Sequence, residues 1–137
     1  MILIDTHVLI WLLGDDPKLG DATRDIIGRE AGRGAVAISA ITPWEIALLT
    51  QKGRLSLATD VGLWIDAALS RPSIRLLPLE PSIAVASVSL PGSFHPDPAD
   101  RFIVATARHH GIPIATVDRA ILAYGAEGHV RVMDAAQ

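Results

Sequence analysis

Short apolar runs that alternate with longer amphipathic segments are the feature of this sequence that most restricts its fold. Five runs have the length of β-strands, namely Met1–Ile4, Val36–Ser39, Ile74–Leu77, Ile114–Val117 and the less clearly marked Val130–Val132. Half of the residues are hydrophobic, which agrees with strands that are buried on both faces. Strands that alternate with helices form βαβ units. The pattern therefore predicts an α/β fold with a central parallel sheet of about five strands.

The segments between these runs have the helical spacing of apolar residues that covers a sheet on both faces. We predict helices over Thr6–Leu13, Asp21–Glu30, Thr42–Lys52, Asp60–Ser70 and Pro81–Leu90, and a long helix that follows Pro98 and ends at His110. Gly111 follows the long helix, as expected of a residue that ends a helix. The 137 residues contain no repeat or linker, so we expect one domain over residues 1–137.

The charge and the cysteine content restrict the chemistry only in part. Twelve basic and 15 acidic residues give a formal net charge of −3, which argues against binding nucleic acid through bulk positive charge. A bound divalent cation would reverse that sign locally. The absence of cysteine excludes disulfides, thiolate metal sites and a cysteine nucleophile.

Nothing in the sequence predicts insertion into a membrane. The longest early apolar run extends only from Val8 to Leu13, whereas a spanning helix needs about 20 residues. Asp5 also stands where a signal peptide has basic residues. We therefore expect a cytoplasmic protein with no membrane partner.

Four acidic residues fall where predicted strands end or predicted helices begin. Asp5 and Asp118 end the first and fourth strands, while Glu45 and Asp100 lie in the first turns of two helices. In an open parallel sheet, the carboxyl ends of the strands and the helix N-termini that follow share one edge, where ligands bind. The sequence therefore predicts that these four carboxylates converge.

Helix capping is an alternative role for three of these acids. Thr42–Glu45 has the form of a capping box, with Thr42 at the N-cap and Glu45 three residues later. Asp97–Asp100 repeats the arrangement with Asp at both ends, and Asp118 is placed to cap a short helix that begins at Arg119. Capping and metal binding do not exclude each other, because one carboxylate has two oxygens.

Asp5 is the acid that capping explains least well. It closes an apolar strand and precedes another apolar run, so we expect its carboxylate to be partly buried. Two such charges at about 4 Å repel each other by roughly 4 kcal/mol at an effective dielectric constant near 20. A divalent cation would offset this repulsion, and ligands that are all oxygen favour Mg²⁺ or Mn²⁺ over zinc.

Most other polar candidates have a structural interpretation. His95 precedes the acidic loop and is a candidate for substrate contact, whereas His7 is interpreted as a residue at a helix start. For the basic candidates for phosphate contact, exposed surface is the preferred interpretation; they are Lys52, Arg54, Arg101, Arg108 and Arg119. Core or interface positions are preferred for the tryptophans; they are Trp11, Trp44 and Trp64.

Four motifs resemble, in the same order, those of PIN-domain proteins. They are Leu3–Leu13, Ser39–Ala47, His95–Ala107 with its Asp-Pro-x-Asp-Arg signature, and Ala115–Asp118. Together they extend over nearly the whole chain. The size and the motif set are most similar to the VapC-type toxins of bacterial type II toxin–antitoxin pairs.

This resemblance implies a PIN-like three-layer α/β/α sandwich, Mg²⁺- or Mn²⁺-dependent endoribonuclease activity on RNA, and a homodimer. It also implies inhibition by a small VapB-type antitoxin within a toxin–antitoxin hetero-oligomer. By position, the implied catalytic acids are Asp5, Glu45, Asp100 and Asp118. Of these, the implied metal ligands are Asp5, Asp100 and Asp118. The implied supporting residues are Thr6, Thr116 and Asp97.

Two other classes of function are alternatives to this one. A phosphatase or phosphoacceptor domain on a similar sheet needs further acids after the first strand, and Thr6 and His7 do not supply them. A catalytically inactive PIN-like module that binds RNA or protein would use the acids only as caps. Binding of divalent metal distinguishes these hypotheses, because separate caps do not bind an ion as a group.

Overall fold

Five strands and seven helices alternate along the chain, and this computed structural model describes all residues from 1 to 137. The strands are β1 Ile2–Ile4, β2 Val36–Ser39, β3 Ile74–Leu77, β4 Ile114–Thr116 and β5 Val132–Asp134. The helices are α1 Thr6–Leu13, α2 Asp21–Gly32, α3 Ile41–Gln51, α4 Val61–Leu69, α5 Pro81–Val88, α6 Pro98–His110 and α7 Arg119–Ala126. None of these helices is long and apolar enough to cross a membrane.

The five strands form one sheet in the order β3-β2-β1-β4-β5, and every neighbouring pair is parallel. The central strand β1 pairs with β2 on one side and with β4 on the other, with Leu3 opposite both Ala37 and Ile114. From β1 the chain builds outward to β3, and then it crosses to the other side of β1 to build β4 and β5. The point between β1 and β4 is thus the place where the strand order reverses, which is where open α/β sheets bind ligands.

Alternate residues of the central strand supply two separate hydrophobic clusters. Ile2 and Ile4 pack on the face that α1 to α3 cover, while Leu3 packs on the opposite face with side chains of α6 and α7. Side chains of a strand point alternately to the two faces, so a short strand with three apolar residues contributes to both clusters. The result is a three-layer α/β/α arrangement, which confirms the predicted fold class.

The predicted bounds of two strands, β4 and β5, were wrong. β4 ends at Thr116 rather than at Val117, and β5 covers Val132–Asp134 rather than Val130–Val132. The pairing register places Val132 opposite Ile114, so the ladder extends toward Asp134. Val130 is buried in a hydrophobic cluster but precedes the strand, and its apolar character therefore marked a core contact rather than a place in the sheet.

Candidate active site

Two acids follow the adjacent strands β1 and β4 at the point where the strand order reverses. Asp5 comes directly after β1, and Asp118 lies two residues beyond the end of β4 at Thr116. The buried Thr116 hydroxyl donates a hydrogen bond to Asp5 Oδ2 and accepts one from the Asp118 backbone N–H at 3.0 Å. Thr116 therefore fixes the positions of both acids relative to each other.

Asp5 is the most deeply buried acid of the group, with 5% of its surface exposed. It is the N-cap of α1, since its Oδ1 accepts a hydrogen bond from the Val8 backbone N–H at 2.9 Å. Capping was the role that the sequence made least expected for Asp5, yet Asp5 does cap a helix. Burial raises the pKa of Asp5 above its ordinary value, and the hydrogen bonds from Thr116 and Val8 oppose that rise.

Asp97 and Asp118 also cap helices, as predicted. Asp97 Oδ1 accepts a hydrogen bond from the Asp100 backbone N–H at 3.0 Å at the start of α6. Asp118 Oδ1 accepts one from the Ile121 backbone N–H at 2.9 Å at the start of α7. In each case the cap occupies one carboxylate oxygen, so the other oxygen is free for a ligand.

The predicted capping box at Thr42–Glu45 was wrong. The N-cap residue of α3 is Ala40, and Thr42 lies within the helix, fully buried. The Thr42 hydroxyl shares a hydrogen bond with the Thr6 hydroxyl at 3.3 Å, so it contacts a neighbouring element instead of capping its own. The Glu45 carboxylate consequently caps nothing. Burial raises the pKa of Glu45, and the nearby Thr6 hydroxyl acts in the opposite direction.

Asp100 is the acid whose ionisation is most disturbed by its surroundings. Its side chain is 15% exposed, and its Oδ2 lies 2.9 Å from His95 Nε2. Burial, followed by the charges of Asp118 and the other acids of the group, raises the pKa of Asp100 to about 8. Burial, with a further contribution from the neighbouring carboxylates, therefore favours the protonated form of Asp100 when no cation is bound.

All the acids meet at one cavity of about 150 Å³. Its lining residues are Asp5, Thr6, His7, Glu45, Asp97, Asp100, Ile103 and Asp118. Of the residues predicted for the site, only Thr116 does not line the cavity. Its hydroxyl instead donates a hydrogen bond to Asp5. A larger cavity of about 800 Å³ lies at the opposite end of the sheet, before β4, and none of the acids lines it.

Two sets of possible ligand atoms overlap in this cavity. Atoms of Glu45, Asp97 and Asp100 lie within 4.8 Å of one another, and so do atoms of His95, Asp100 and Asp118. The set of Glu45, Asp97 and Asp100 offers only oxygen donors, which fit Mg²⁺ or Mn²⁺. The raised pKa of Asp100 supports this fit, because a divalent cation would favour the ionised form of each neighbouring carboxylate.

Sequence reasoning missed the role of Arg101. The guanidinium of Arg101 donates hydrogen bonds to the backbone carbonyls of His95, Phe94 and Ser87, at 2.9, 2.7 and 3.1 Å. Arg101 is therefore not a free surface side chain, because its guanidinium clamps the loop that carries His95. The only signal in the sequence was its position directly after Asp100.

A groove with an exposed tryptophan adjoins the acidic cavity. Trp44 is 47% exposed and lines a groove of about 190 Å³ with Leu48, Lys52 and Arg54. Glu45 and Asp97 line both the groove and the cavity, so the two are continuous. Trp44 is thus not a core residue, whereas Trp11 and Trp64, outside the groove, pack partly buried against the core.

Comparison with known proteins agrees with this architecture. The family model described as PIN domain matches residues 2–127. The chain is 35% identical over 120 residues to Ribonuclease VapC22 of Mycobacterium tuberculosis (strain ATCC 25618 / H37Rv), a match that covers 88% of each chain.

Solved structures show the same fold at lower sequence identity. VapBC2 from Rickettsia felis, bound to a DNA fragment from its promoter, matches with a TM-score of 0.68 at 15% identity and covers 97% of this chain and 98% of its own. FitAcB from Neisseria gonorrhoeae matches with a TM-score of 0.59 at 24% identity and covers 98% of this chain and 97% of its own. The family model over residues 2–127 and the 35% identical relative show that the chain belongs to the PIN domain family.

Proposed function

We propose that residues 1–137 form one PIN domain that acts as a metal-dependent endoribonuclease, the toxin of a type II toxin–antitoxin pair. The observation that carries this proposal is the group of five carboxylates around a cavity of about 150 Å³, in which the pKa of Asp100 is raised to about 8. Perturbed carboxylates that converge in a cleft are typical of functional sites. The similarity to a protein named as a ribonuclease supports the choice of substrate.

Helix capping alone does not account for this group of acids. Asp5, Asp97 and Asp118 cap helices, but Glu45 and Asp100 cap none. Burial and the charges of the neighbouring carboxylates both disfavour the ionised form of Asp100. A bound divalent cation would offset this effect, and this argument favours the nuclease over a catalytically inactive PIN-like module.

The proposed metal ligands are Asp5, Asp100 and Asp118, for Mg²⁺ or Mn²⁺. Such an ion, when bound, supplies a water of lowered pKa and neutralises charge on the phosphate. Glu45 is proposed to orient the attacking water or to bind a second ion, because its carboxylate caps no helix and it belongs with Asp97 and Asp100 to one set of possible ligand atoms. Thr116 keeps Asp5 and Asp118 in a fixed orientation, which reduces the reorganisation that binding requires.

The groove beside the cavity is the proposed path of the RNA strand. The exposed indole of Trp44 offers a surface on which an unpaired base stacks. Lys52 and Arg54 line the same groove and offer positive charge to the phosphates. A single-stranded segment in this groove would lead directly to Glu45, which the groove shares with the cavity.

The proposed partners are a VapB-type antitoxin and a second copy of the chain. Structural neighbours are described as VapBC2 and as a toxin–antitoxin complex from Klebsiella pneumoniae. Several apolar side chains are exposed outside the groove, among them Leu63, Val85 and Val88, and such side chains are common at protein interfaces. Light scattering on the purified chain, with and without a co-expressed antitoxin, measures both associations.

Cleavage of a mixed pool of structured RNA tests the proposed activity. Purified chain, free of antitoxin, is incubated with Mg²⁺ or Mn²⁺, beside samples with EDTA and samples of Asp5→Asn and Asp100→Asn. The Asp100→Asn variant is the cleaner of the two, since the Asp100 carboxylate caps no helix. Asp25→Asn, an exposed change on α2, is the matched control.

Metal-dependent cleavage that both active-site variants lose and Asp25→Asn retains is the expected result. Cleavage that persists in EDTA or in Asp100→Asn would reject the proposed mechanism. A chain that neither cleaves RNA nor binds Mn²⁺ would be assigned instead to the inactive PIN-like modules that bind RNA or protein.

A further inference from the structure

The imidazole of His95 is directed into the group of acids without a hydrogen-bond partner of its own. Its Nε2 atom lies 2.9 Å from Asp100 Oδ2. That nitrogen is shielded from solvent, and the contact does not have the geometry of a hydrogen bond. A buried polar atom without a partner is uncommon and needs an explanation, such as an ion that both groups bind.

The spacing of the two atoms agrees with two adjacent ligands of one ion. Adjacent ligands of an octahedral ion with bonds of 2.0–2.1 Å lie about 2.9 Å apart. A third ligand atom is present, because atoms of His95, Asp100 and Asp118 all lie within 4.8 Å of one another. His95 and Asp118 also line a second open cavity, of about 500 Å³, beside the acidic one.

We propose that His95 Nε2 is a metal ligand together with Asp100 and Asp118, and that this nitrogen makes the position favour Mn²⁺ over Mg²⁺. The inference rests on the proposed function and adds a ligand that the acidic motifs do not contain. Imidazole favours transition metals, whereas Mg²⁺ favours ligands that are all oxygen. Glu45, Asp97 and Asp100 form such an all-oxygen set, so Mg²⁺ retains a position that does not depend on His95.

The loop that carries His95 is held in place before any ion binds. Arg101 donates hydrogen bonds to the His95 and Phe94 carbonyls, at 2.9 and 2.7 Å. The Phe94 ring lies edge-on to the imidazole with 4.6 Å between ring centroids, and it also packs on Tyr124. Contacts that orient a ligand in advance raise metal affinity, because little conformational freedom is lost on binding.

Pulsed electron paramagnetic resonance of bound Mn²⁺ tests this proposal directly, since it detects a nitrogen nucleus coordinated to the ion. The wild-type chain is expected to show this nitrogen coupling, and His95→Gln is expected to lose it. His7→Gln is the matched control, because His7 lines the same cavities but belongs to neither set of ligand atoms. Calorimetric titration should show at least a tenfold loss of Mn²⁺ affinity in His95→Gln and a much smaller change for Mg²⁺, in line with the losses of about 10–100-fold seen when groups around a metal are removed.

The outcomes of these experiments distinguish a failure of this proposal from a failure of the proposed function. Mn²⁺ that binds to the wild-type chain without nitrogen coupling would overturn the role of His95 and leave the nuclease proposal intact. Coupling that survives His95→Gln and disappears in His7→Gln would overturn it as well. A wild-type chain that binds no Mn²⁺ would overturn both proposals. The wild-type spectrum is informative whatever the stability of the variants, and His95→Asn offers a second substitution that removes the nitrogen ligand.

Discussion

The two oxygens of the Asp5 carboxylate have different hydrogen-bond partners, so one residue can hold a helix in place and still serve the proposed site. Oδ1 caps α1 through the Val8 N–H, while Oδ2 accepts the hydrogen bond from Thr116. Asp118 uses Oδ1 for its cap in the same way. A carboxylate can accept about four hydrogen bonds or ligands in total. Capping is therefore compatible with the proposed binding of a cation, and it fixes the orientation of these acids.

The ionisation of Asp100 predicts how stability depends on pH. Its pKa is about 8 in the folded chain, against an ordinary value of 3.8, so between these values the folded state holds a proton that the unfolded state has lost. The stability of the metal-free protein should therefore fall as pH rises from about 4 to about 8. Thermal unfolding in EDTA across this range should show a smaller fall for Asp100→Asn than for the wild type.

Asp25→Asn is the control for this measurement, since its exposed carboxylate lies on α2 and makes no ion pair. Its curve should run parallel to that of the wild type. If the curve of Asp100→Asn is equally steep, Asp100 does not carry the pH dependence. Addition of Mg²⁺ should flatten the wild-type curve, because the ion favours ionised carboxylates.

The Thr116 hydroxyl is expected to matter for both stability and metal binding. Thr116→Val removes the donor to Asp5 and the acceptor of the Asp118 N–H while keeping the shape of the side chain. Leaving buried polar groups unpaired costs about 1–3 kcal/mol, and Mn²⁺ should bind more weakly because the two acids lose their common anchor. Chemical denaturation and Mn²⁺ titration measure these effects.

Thr106→Val is the matched control, because Thr106 is also fully buried but donates only to the Phe102 carbonyl within its own helix. Its metal affinity should be unchanged. Equal losses of metal affinity in the two variants would show that the effect at Thr116 is one of general packing.

At the scale of elements, α6 performs three tasks along its length. Its first turn carries Asp100, its middle fills the core with Ile103 and Val104, and its last turn ends at Gly111 in a left-handed conformation with φ of 63°. Arg101 turns back from the first turn to hold the preceding loop. The helix thus links the core to the loop that shapes the site.

Removal of the Arg101 clamp should loosen this loop. Arg101→Met keeps most of the length of the side chain but leaves three backbone carbonyls without their donor. We expect a loss of about 2–4 kcal/mol in the free energy of unfolding, and faster proteolysis between residues 89 and 97. Arg29→Met, at an exposed position of α2, should change neither property. Unchanged proteolysis in Arg101→Met would reject the clamp.

At the scale of the whole molecule, the proposed function requires an acidic chain to bind an acidic polymer. The formal net charge is −3, and five acids line one cavity at the edge of the sheet, so we expect any binding of RNA to depend on the cation and on local basic residues. Lys52 and Arg54 lie at that edge, in the groove beside Trp44. By contrast, Arg29 and Arg71 precede β2 and β3 and therefore lie toward the opposite edge.

Neutralisation of the groove should weaken RNA binding in a salt-dependent way. Lys52→Gln with Arg54→Gln, in the Asp100→Asn background that prevents cleavage, should reduce the slope of log affinity against log salt by about 1.4, since each phosphate contact to a single strand contributes about 0.7. Arg29→Gln with Arg71→Gln should leave the slope unchanged. Equal effects of the two pairs would mean that the groove is not the path of the strand.

The local sequence pattern was sufficient to predict the fold and the positions of the acids along it. The apolar runs β2 and β3 were predicted with their observed ends, and Asp97 and Asp118 were recognised as caps, because strand burial and helix capping depend on neighbours within a few residues. The parallel sheet followed from the alternation of strands and helices, and the shared edge followed from the sheet. The predicted roles of these acids in catalysis remain proposals.

Only the tertiary structure decided which side chains meet. The Thr42 hydroxyl contacts Thr6 from another helix instead of capping α3, Arg101 reaches carbonyls as far away as Ser87, and β5 starts where its register with β4 places it. The distance of 2.9 Å between His95 and Asp100 has the same origin, since the Arg101 clamp sets the path of the loop. A sequence pattern records the preference of each residue for burial or for a cap, but it does not record the three-dimensional path that brings separate elements within the 3 Å range of a hydrogen bond or a shared ion.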